Sequence, residues 1–352
     1  MRAASLTFLK NLINAAGPSG FEQPVAAVWR NYTKPFAESI ARDYHGNSIA
    51  SINKSAKMRL MFAGHCDELG FLVHFINEKG FVYFRPIGGH DRTMISGRRV
   101  KILTKKGEVA GVTGKKAIHL MTLEERKKVP EFENLWIDIG AESKDEAEKR
   151  IAIGDAVIYD TGFQHITDDI VASRAFDNKV GAFAVAEALR HLHKESLQVA
   201  VFSAATVQEE IGLRGARTAA YNISPDIAIG IDVTHATDHP EVDLRKTGEV
   251  KLGNGPVILR GANANPKVAE LLTKAADMEK IPYQVHALPG GIGSDANELQ
   301  LSGSGTATGS VSIPLRYMHT PSELVSLKDV ANAAKLLAAF AKCVTTDMDF
   351  KL

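Results

Sequence analysis

Apolar residues follow two different patterns along the C-terminal half of the chain. In residues 177–195 the apolar side chains recur with helical spacing, whereas residues 197–207 and 225–233 form short apolar runs typical of buried strands. Further helical stretches begin at Pro266 and near residue 326. Strands that alternate with helices favour a mainly parallel sheet covered by helices on both faces. The pattern therefore predicts an α/β fold.

The pattern changes between residues 69 and 165. Short β-rich runs in this segment are separated by turns that contain glycine, such as the Asn-Glu-Lys-Gly sequence at 77–80. We therefore predict a small β-rich domain inserted into a larger one. Residues 1–68 and 166–352 would form the α/β domain, and residues 69–165 the insertion.

Composition argues against a nucleic-acid partner and against a disulfide framework. The 352-residue chain has a formal net charge of +1 and no block rich in lysine or arginine, so electrostatics give no case for a nucleic-acid partner. The two cysteines, Cys66 and Cys343, lie far apart in the sequence, which argues against a disulfide framework and suits a reducing compartment.

The N-terminus has the pattern of an amphipathic helix. Apolar residues between positions 6 and 13 recur with helical spacing, and a Gly-Pro pair at 17–18 ends the pattern. A lysine interrupts the apolar stretch, so we interpret it as a first helix and not as a signal peptide. No apolar run reaches the roughly 18 residues of a membrane span. We expect no membrane partner and a cytoplasmic location.

Ionisable residues follow the ends of the predicted strands. They are His65 and Asp67 after "MRLMFA", Glu209 and Glu210 after "VAVFSAATV", Asp232 in "PDIAIGIDV", His319 after "SVSIPLRYM", and Asp177 where a loop turns into a helix. Open α/β sheets bind ligands beyond the carboxyl ends of their strands. Several acidic groups at one edge would repel each other unless a cation joins them. Together these residues favour a dinuclear metal site with a bridging aspartate.

Single members of this set also have simpler interpretations. His65 alone could be a hydrogen-bonded core histidine, and Asp177 alone could be a helix N-cap. Residues 65 and 67 share one strand face, so Asp67 can accept a hydrogen bond from His65, as carboxylates do beside metal-bound histidines. Cys66 points to the opposite face, and we interpret it as a packing residue.

Five motifs make the chain similar to a known family. The segments "GHCDELGF", "AFDNKVG", "VQEEIGLRGA", "IDVTHATDHP" and "RYMHTPSE" occur in the order and spacing of the tetrahedral, TET-type dinuclear-zinc aminopeptidases. That family includes glutamyl and deblocking aminopeptidases, and some members have been labelled endoglucanases. The resemblance spans essentially the whole chain, including "PSGFEQ" near the start and "VTGKKAIHL" in the predicted insertion.

The resemblance implies a role for each of these side chains. One metal ion would be held by His65, Asp177 and Asp232, and the other by Asp177, Glu210 and His319. Asp67 would orient His65. Glu209 would be the general base, taking a proton from the attacking water and passing it to the leaving amine. Both ions would be zinc or cobalt, which this ligand set does not distinguish.

Two departures from the family pattern stand out. Members usually carry "HMDE", and here Cys66 replaces the methionine. Where the family more often has a compact "GGTDA", this chain has "GGIGSDA", so residues Ile292 to Ser294 separate the glycines from Asp295. That loop lies near the substrate pocket in relatives, so the departure bears on substrate preference. Asp295 could equally be an ordinary turn residue.

The resemblance also implies an assembly. Family members form dimers, held partly by the inserted domain, which build a hollow tetrahedral dodecamer. We therefore expect a homo-oligomer in which residues 69–165 form the oligomerisation domain. Its substrates would be short peptides.

Other functions remain open at this stage. Glycosidases place two carboxylates about 5 to 10 Å apart on opposite sides of the bond, which suits the adjacent Glu209 and Glu210 poorly. A deacylase, a carboxypeptidase on a similar fold, or a non-catalytic metal-binding scaffold are further alternatives. The sequence favours a metal-dependent aminopeptidase.

Overall fold

The computed structural model describes residues 1–352, which form ten α-helices, three short 3-10 helices and seventeen strands. The helices are α1 Ala3–Asn14, α2 Gln23–Thr33, α3 Leu123–Arg126, α4 Lys144–Arg150, α5 Phe176–Leu192, α6 Arg214–Ile223, α7 Leu244–Thr247, α8 Pro266–Met278, α9 Asp295–Gln300 and α10 Leu327–Cys343. The strands are β1 Ser39–Arg42, β2 Ser48–Ile52, β3 Arg59–His65, β4 Gly70–Ile76, β5 Val82–Ile87, β6 Arg99–Thr104, β7 Gly107–Lys115, β8 Leu135–Asp138, β9 Ala156–Tyr159, β10 Gln164–His165, β11 Ile170–Ser173, β12 Ala200–Thr206, β13 Ile227–His235, β14 Val257–Gly261, β15 Gln284–Leu288, β16 Ala307–Arg316 and β17 Glu323–Ser326.

An eleven-stranded sheet forms the centre of the larger domain. Its main path runs β1-β2-β12-β3-β13-β16-β17-β11-β10, with β14 and β15 attached beside β16. The central pairs β12–β3, β3–β13 and β13–β16 are parallel, whereas the pairs at both edges are antiparallel. The predicted α/β fold with a mainly parallel sheet is confirmed. Sequence reasoning missed the short strands β1, β11 and β17, which carry no long apolar run.

Helices cover both faces of this sheet at close range. A side chain at Gly64 would meet the backbone of Gly181 in α5 at 2.5 Å, and one at Gly230 would meet Ala296 of α9 at 2.7 Å. These two glycines therefore let α5 and α9 pack directly against the strands. The main core between the layers buries Trp29 and Cys66, which confirms the packing role predicted for the cysteine.

Strands β4 to β9 close into a barrel in the order β4-β5-β8-β7-β6-β9. The barrel spans residues 70–159 and has its own core, which includes Phe71, Val100 and Ile137. Its core residues lie on alternate positions of the strands, as expected when one face is buried. The neighbouring β10 at Gln164–His165 already belongs to the large sheet.

This topology determines where functional groups can meet. Strands β3, β12, β13 and β16 run in the same direction, so their carboxyl ends open at one edge of the sheet. None of the helices combines the length and the hydropathy needed to cross a membrane.

Candidate metal centre

The predicted site residues meet at the carboxyl edge of the sheet. His65 is the last residue of β3 and lies in register with Thr206, the last residue of β12. Glu209 and Glu210 follow β12 within one turn, and Asp232 lies on the neighbouring β13. Parallel pairing thus brings His65 to the same edge of the sheet as Glu209 and Asp232, which follow it by more than a hundred residues in the sequence.

His65 is surrounded by carboxylates. Its Nε2 atom lies 3.3 Å from Oδ1 of Asp177, 3.7 Å from Oδ1 of Asp232 and 3.7 Å from Oε2 of Glu209. The histidine is 1% exposed, so water does not screen these contacts. Three carboxylates converging on one buried imidazole nitrogen leave room for a shared cation.

Asp177 connects this cluster to a second one. Its Oδ2 atom lies 3.3 Å from Nε2 of His319, and the same nitrogen lies 3.7 Å from Oε2 of Glu210. The two oxygens of Asp177 therefore face two different histidines. A carboxylate in that position can bridge two cations.

The electrostatics of the cluster favour a cation. Burial raises the pKa of Glu209 to about 8, and burial together with the charge of Asp177 raises the pKa of both Glu210 and Asp232 well above the ordinary range. A bound cation would favour the ionised form of these carboxyl groups. The ligand atoms of His65, Asp177 and Glu210 lie within 4.8 Å of one another, as do those of His65, Glu209 and Asp232. Imidazole and carboxylate donors in such groups bind divalent transition metals, and the residues present therefore fit such ions.

Asp67 links His65 to the loop that carries the two glutamates. Its Oδ1 lies 3.3 Å from Nδ1 of His65, outside good hydrogen-bond geometry, and accepts a hydrogen bond of 3.1 Å from the Glu209 backbone N–H. Its Oδ2 accepts one of 3.2 Å from the Glu210 backbone N–H. The fully buried Asp67 therefore contacts both strand ends of the site.

Sequence reasoning missed Glu323. This buried carboxylate accepts a hydrogen bond from the backbone N–H of Asp177 through Oε2 and from that of His319 through Oε1, each at 3.1 Å. It thus joins the backbones of two residues of the cluster. The available signal was its position four residues after His319 in the motif "RYMHTPSE".

Asp295 is not a simple turn residue. It opens α9, is 2% exposed and accepts a hydrogen bond from the Thr206 hydroxyl, while its Oδ1 has no partner in the protein. Burial raises its pKa to about 6. The "GGIGSDA" segment therefore delivers a buried carboxylate next to the end of β12.

Comparison with known proteins places this site in a family. The model for the M42 glutamyl aminopeptidase family matches residues 46–336, well over half of the chain. A putative aminopeptidase of Acetivibrio thermocellus is 39% identical over 332 residues, which cover 94% of this chain and 96% of that protein.

Solved structures agree with the sequence match. The TET aminopeptidase of the marine sediment archaeon Thaumarchaeota archaeon SCGC AB-539-E09 superposes with a TM-score of 0.93 at 33% identity, covering 98% of this chain and 97% of that one. The TET1 peptidase of Pyrococcus horikoshii, which can assemble into a tetrahedron or a large octahedral shell, superposes with a TM-score of 0.86 at 32% identity and covers 97% and 100% of the two chains. Likeness to such assemblies supports homo-oligomerisation. The resemblance predicted from the motifs is confirmed, and the chain belongs to the M42 glutamyl aminopeptidase family of metal-dependent peptide hydrolases.

Proposed function

We propose that this protein releases N-terminal residues from short peptides with the help of two divalent metal ions, zinc or cobalt. The proposed ligands are His65, Asp177 and Asp232 for one ion and Asp177, Glu210 and His319 for the other. The observation that carries the proposal is the position of Asp177, whose two oxygens lie 3.3 Å from Nε2 of His65 and 3.3 Å from Nε2 of His319. One carboxylate facing two histidines supports a bridged pair of ions.

In this proposal the chain itself supplies the proton transfer. When bound, the ions polarise the scissile carbonyl and lower the pKa of the attacking water. Glu209 lies beside the proposed ligands, with its Oε2 3.7 Å from Nε2 of His65. The charge of the bound ions would lower the pKa of its carboxyl group from the raised value it has without them, so that Glu209 could accept a proton at neutral pH and donate it to the leaving amine.

Asp67 and Glu323 hold these groups in place. Asp67 accepts the backbone N–H groups of Glu209 and Glu210, which orients the general base relative to His65. Glu323 does the same for Asp177 and His319. Both are buried, so each carboxylate stays fixed while the substrate binds and leaves.

We further propose that residues 69–165 mediate assembly into dimers and a tetrahedral dodecamer in the cytoplasm. Strongly exposed apolar side chains on this segment support the proposal, because such residues mark contact surfaces when they cluster. They include Ile118, Leu120 and Leu123, which are 56%, 72% and 74% exposed.

The test is a panel of peptides with a free N-terminus, an acetylated N-terminus or an amidated C-terminus. Purified protein should release N-terminal residues from every peptide with a free amine. A chelator should abolish the release, and added zinc or cobalt should restore it.

Variants distinguish a loss of peptide hydrolysis from a loss of metal binding. Glu209→Gln should lose peptidase activity while it still binds metal, whereas Glu148→Gln, at an exposed position on α4, should behave as the wild type. Fully metal-loaded protein that cleaves none of the peptides would refute the proposal. Release from the C-terminus, or removal of the acetyl group, would instead indicate a carboxypeptidase or a deacylase.

A further inference from the structure

The loop at residues 17–22, within the segment "GPSGFE", lies against the metal cluster, although the proposed function gives it no role. The loop connects α1 to α2, and Pro18 forms an isolated parallel bridge with Glu68. The backbone N–H of Glu68 donates to the Gly17 carbonyl at 3.1 Å, and that of Ser19 donates to the Glu68 carbonyl at 3.3 Å. The 17–22 loop is therefore tied by a single β-bridge to the chain just after β3.

Ser19 contacts the carboxylate that orients the site. Its hydroxyl donates a hydrogen bond of 2.7 Å to Oδ2 of Asp67, the same oxygen that accepts the Glu210 backbone N–H. Ser19 is 4% exposed, so water cannot readily replace it as a donor. The hydroxyl thus restricts rotation of the Asp67 carboxylate, whose other oxygen faces His65 and Glu209.

Glu22 contacts the loop that carries the general base. Its Oε1 accepts the backbone N–H of Gly20 at 2.7 Å and that of Gln208 at 3.0 Å. Gln208 directly precedes Glu209 and has a left-handed backbone with φ of 55°, a conformation that costs energy for a residue other than glycine. By accepting the backbone N–H of Gln208, Glu22 stabilises this left-handed conformation.

We propose that the 17–22 loop is a positioning element, in which Ser19 and Glu22 set the backbone and carboxylates of Glu209 and Glu210 relative to His65. The two residues act on different parts of the same arrangement. Ser19 acts through Asp67, and Glu22 acts through the backbone of Gln208. This inference rests on the proposed function for the role of Glu209 as general base, and it also predicts an effect on metal binding.

Glu22 accepts both hydrogen bonds through one atom, so the glutamine and alanine variants at this position can be compared directly. Because both N–H groups donate to Oε1, Glu22→Gln retains the acceptor and Glu22→Ala removes it. Burial raises the pKa of Glu22 to about 7, so a neutral side chain at this position is already populated near neutral pH. A buried carboxylate needed only for its charge would not be rescued by glutamine.

The experiment measures kcat, KM and metal affinity for Ser19→Ala, Glu22→Ala and Glu22→Gln, with Glu148→Ala as the exposed control. Metal affinity is measured by competition with a chromophoric chelator. We expect Glu22→Ala to lose about 10- to 100-fold in kcat, as typical for groups that orient a metal site, with little change in KM. Glu22→Gln should retain most of the activity, and Ser19→Ala should lower both kcat and metal affinity.

Several outcomes would overturn the inference. One is a wild-type kcat in folded Glu22→Ala and Ser19→Ala, and another is a Glu22→Gln variant as impaired as Glu22→Ala. If Glu22→Ala does not fold, Ser19→Ala, which removes one hydroxyl, decides the question alone. A wild-type protein without peptidase activity would contradict the proposed function, while the metal affinity of Ser19→Ala would still test the positioning role.

Discussion

The backbone N–H of Glu209 donates a 3.1 Å hydrogen bond to Oδ1 of Asp67, so the proposed general base is tied directly to the residue two positions after His65. The two residues belong to different strand ends, and Asp67 is fully buried. The spacing between the base and the histidine therefore depends on one carboxylate.

Replacing Asp67 with asparagine should remove one of the hydrogen bonds that connect the end of β3 to the loop after β12. An amide accepts through only one atom, so its NH₂ group would face a backbone N–H of Glu209 or Glu210. We expect Asp67→Asn to lower activity or metal affinity by roughly 10- to 100-fold, measured as kcat/KM and by chelator competition. Asp168→Asn, at an exposed position, serves as the control. Wild-type activity and wild-type metal affinity in Asp67→Asn would show that the link is dispensable.

Glu323→Gln should affect the two metal positions unequally. Glutamine can accept only one of the N–H groups of Asp177 and His319, and the buried amide would oppose the other donor. We expect both ions to bind more weakly, because Asp177 contacts both, with the greater loss at the ion held by Glu210 and His319. Two-site calorimetric titration measures this difference, with Glu148→Gln as the control. Equal weakening at both positions, or none, would contradict the assignment.

Metal binding should release protons. Burial raises the pKa of Glu209 to about 8 and also raises the pKa of Glu210 and of Asp232, so protons compete with a cation for these carboxyl groups. A cation binds the ionised forms, so its apparent affinity should rise as the pH rises from 6 towards 8.

The measurement is calorimetric titration of zinc at pH 6.5 in two buffers with different ionisation enthalpies. The observed binding enthalpy should differ between the two buffers, because protons released by the protein are taken up by the buffer and add its protonation enthalpy to the signal. Identical enthalpies in the two buffers would mean that the carboxylates are already ionised before the cation binds.

Gly64→Ala should destabilise the protein. The new Cβ would lie 2.5 Å from the backbone carbon of Gly181, and backbone in a packed helix cannot move away easily. We expect the free energy of unfolding to fall by about 1 to 3 kcal/mol, measured by urea denaturation. Gly162→Ala, where a Cβ meets nothing within 4 Å, should change stability little. A similar denaturation midpoint in the two variants would argue against the close approach of α5.

The main architecture could be predicted from the sequence because it depends on local patterns. Helical spacing in residues 177–195 and the apolar run at 197–207 each describe an element that buries its own apolar face. Parallel strands then place Glu209 and Asp232 at one edge without further information. The short strand β17 could not be predicted in this way, since it pairs along its whole length with β11, which is distant in sequence.

The sequence by itself determined the α/β fold, the family, and which histidines and carboxylates are candidates for the site, because residue type and spacing carry that information. Only the tertiary structure decided how these groups are held. Ser19, Glu22 and Glu323 act through hydrogen bonds with backbone N–H groups or with the Asp67 carboxylate, and such bonds form only where separate loops meet in a buried place. A backbone N–H is the same in nearly every residue, so no local pattern shows which one a buried carboxylate will accept.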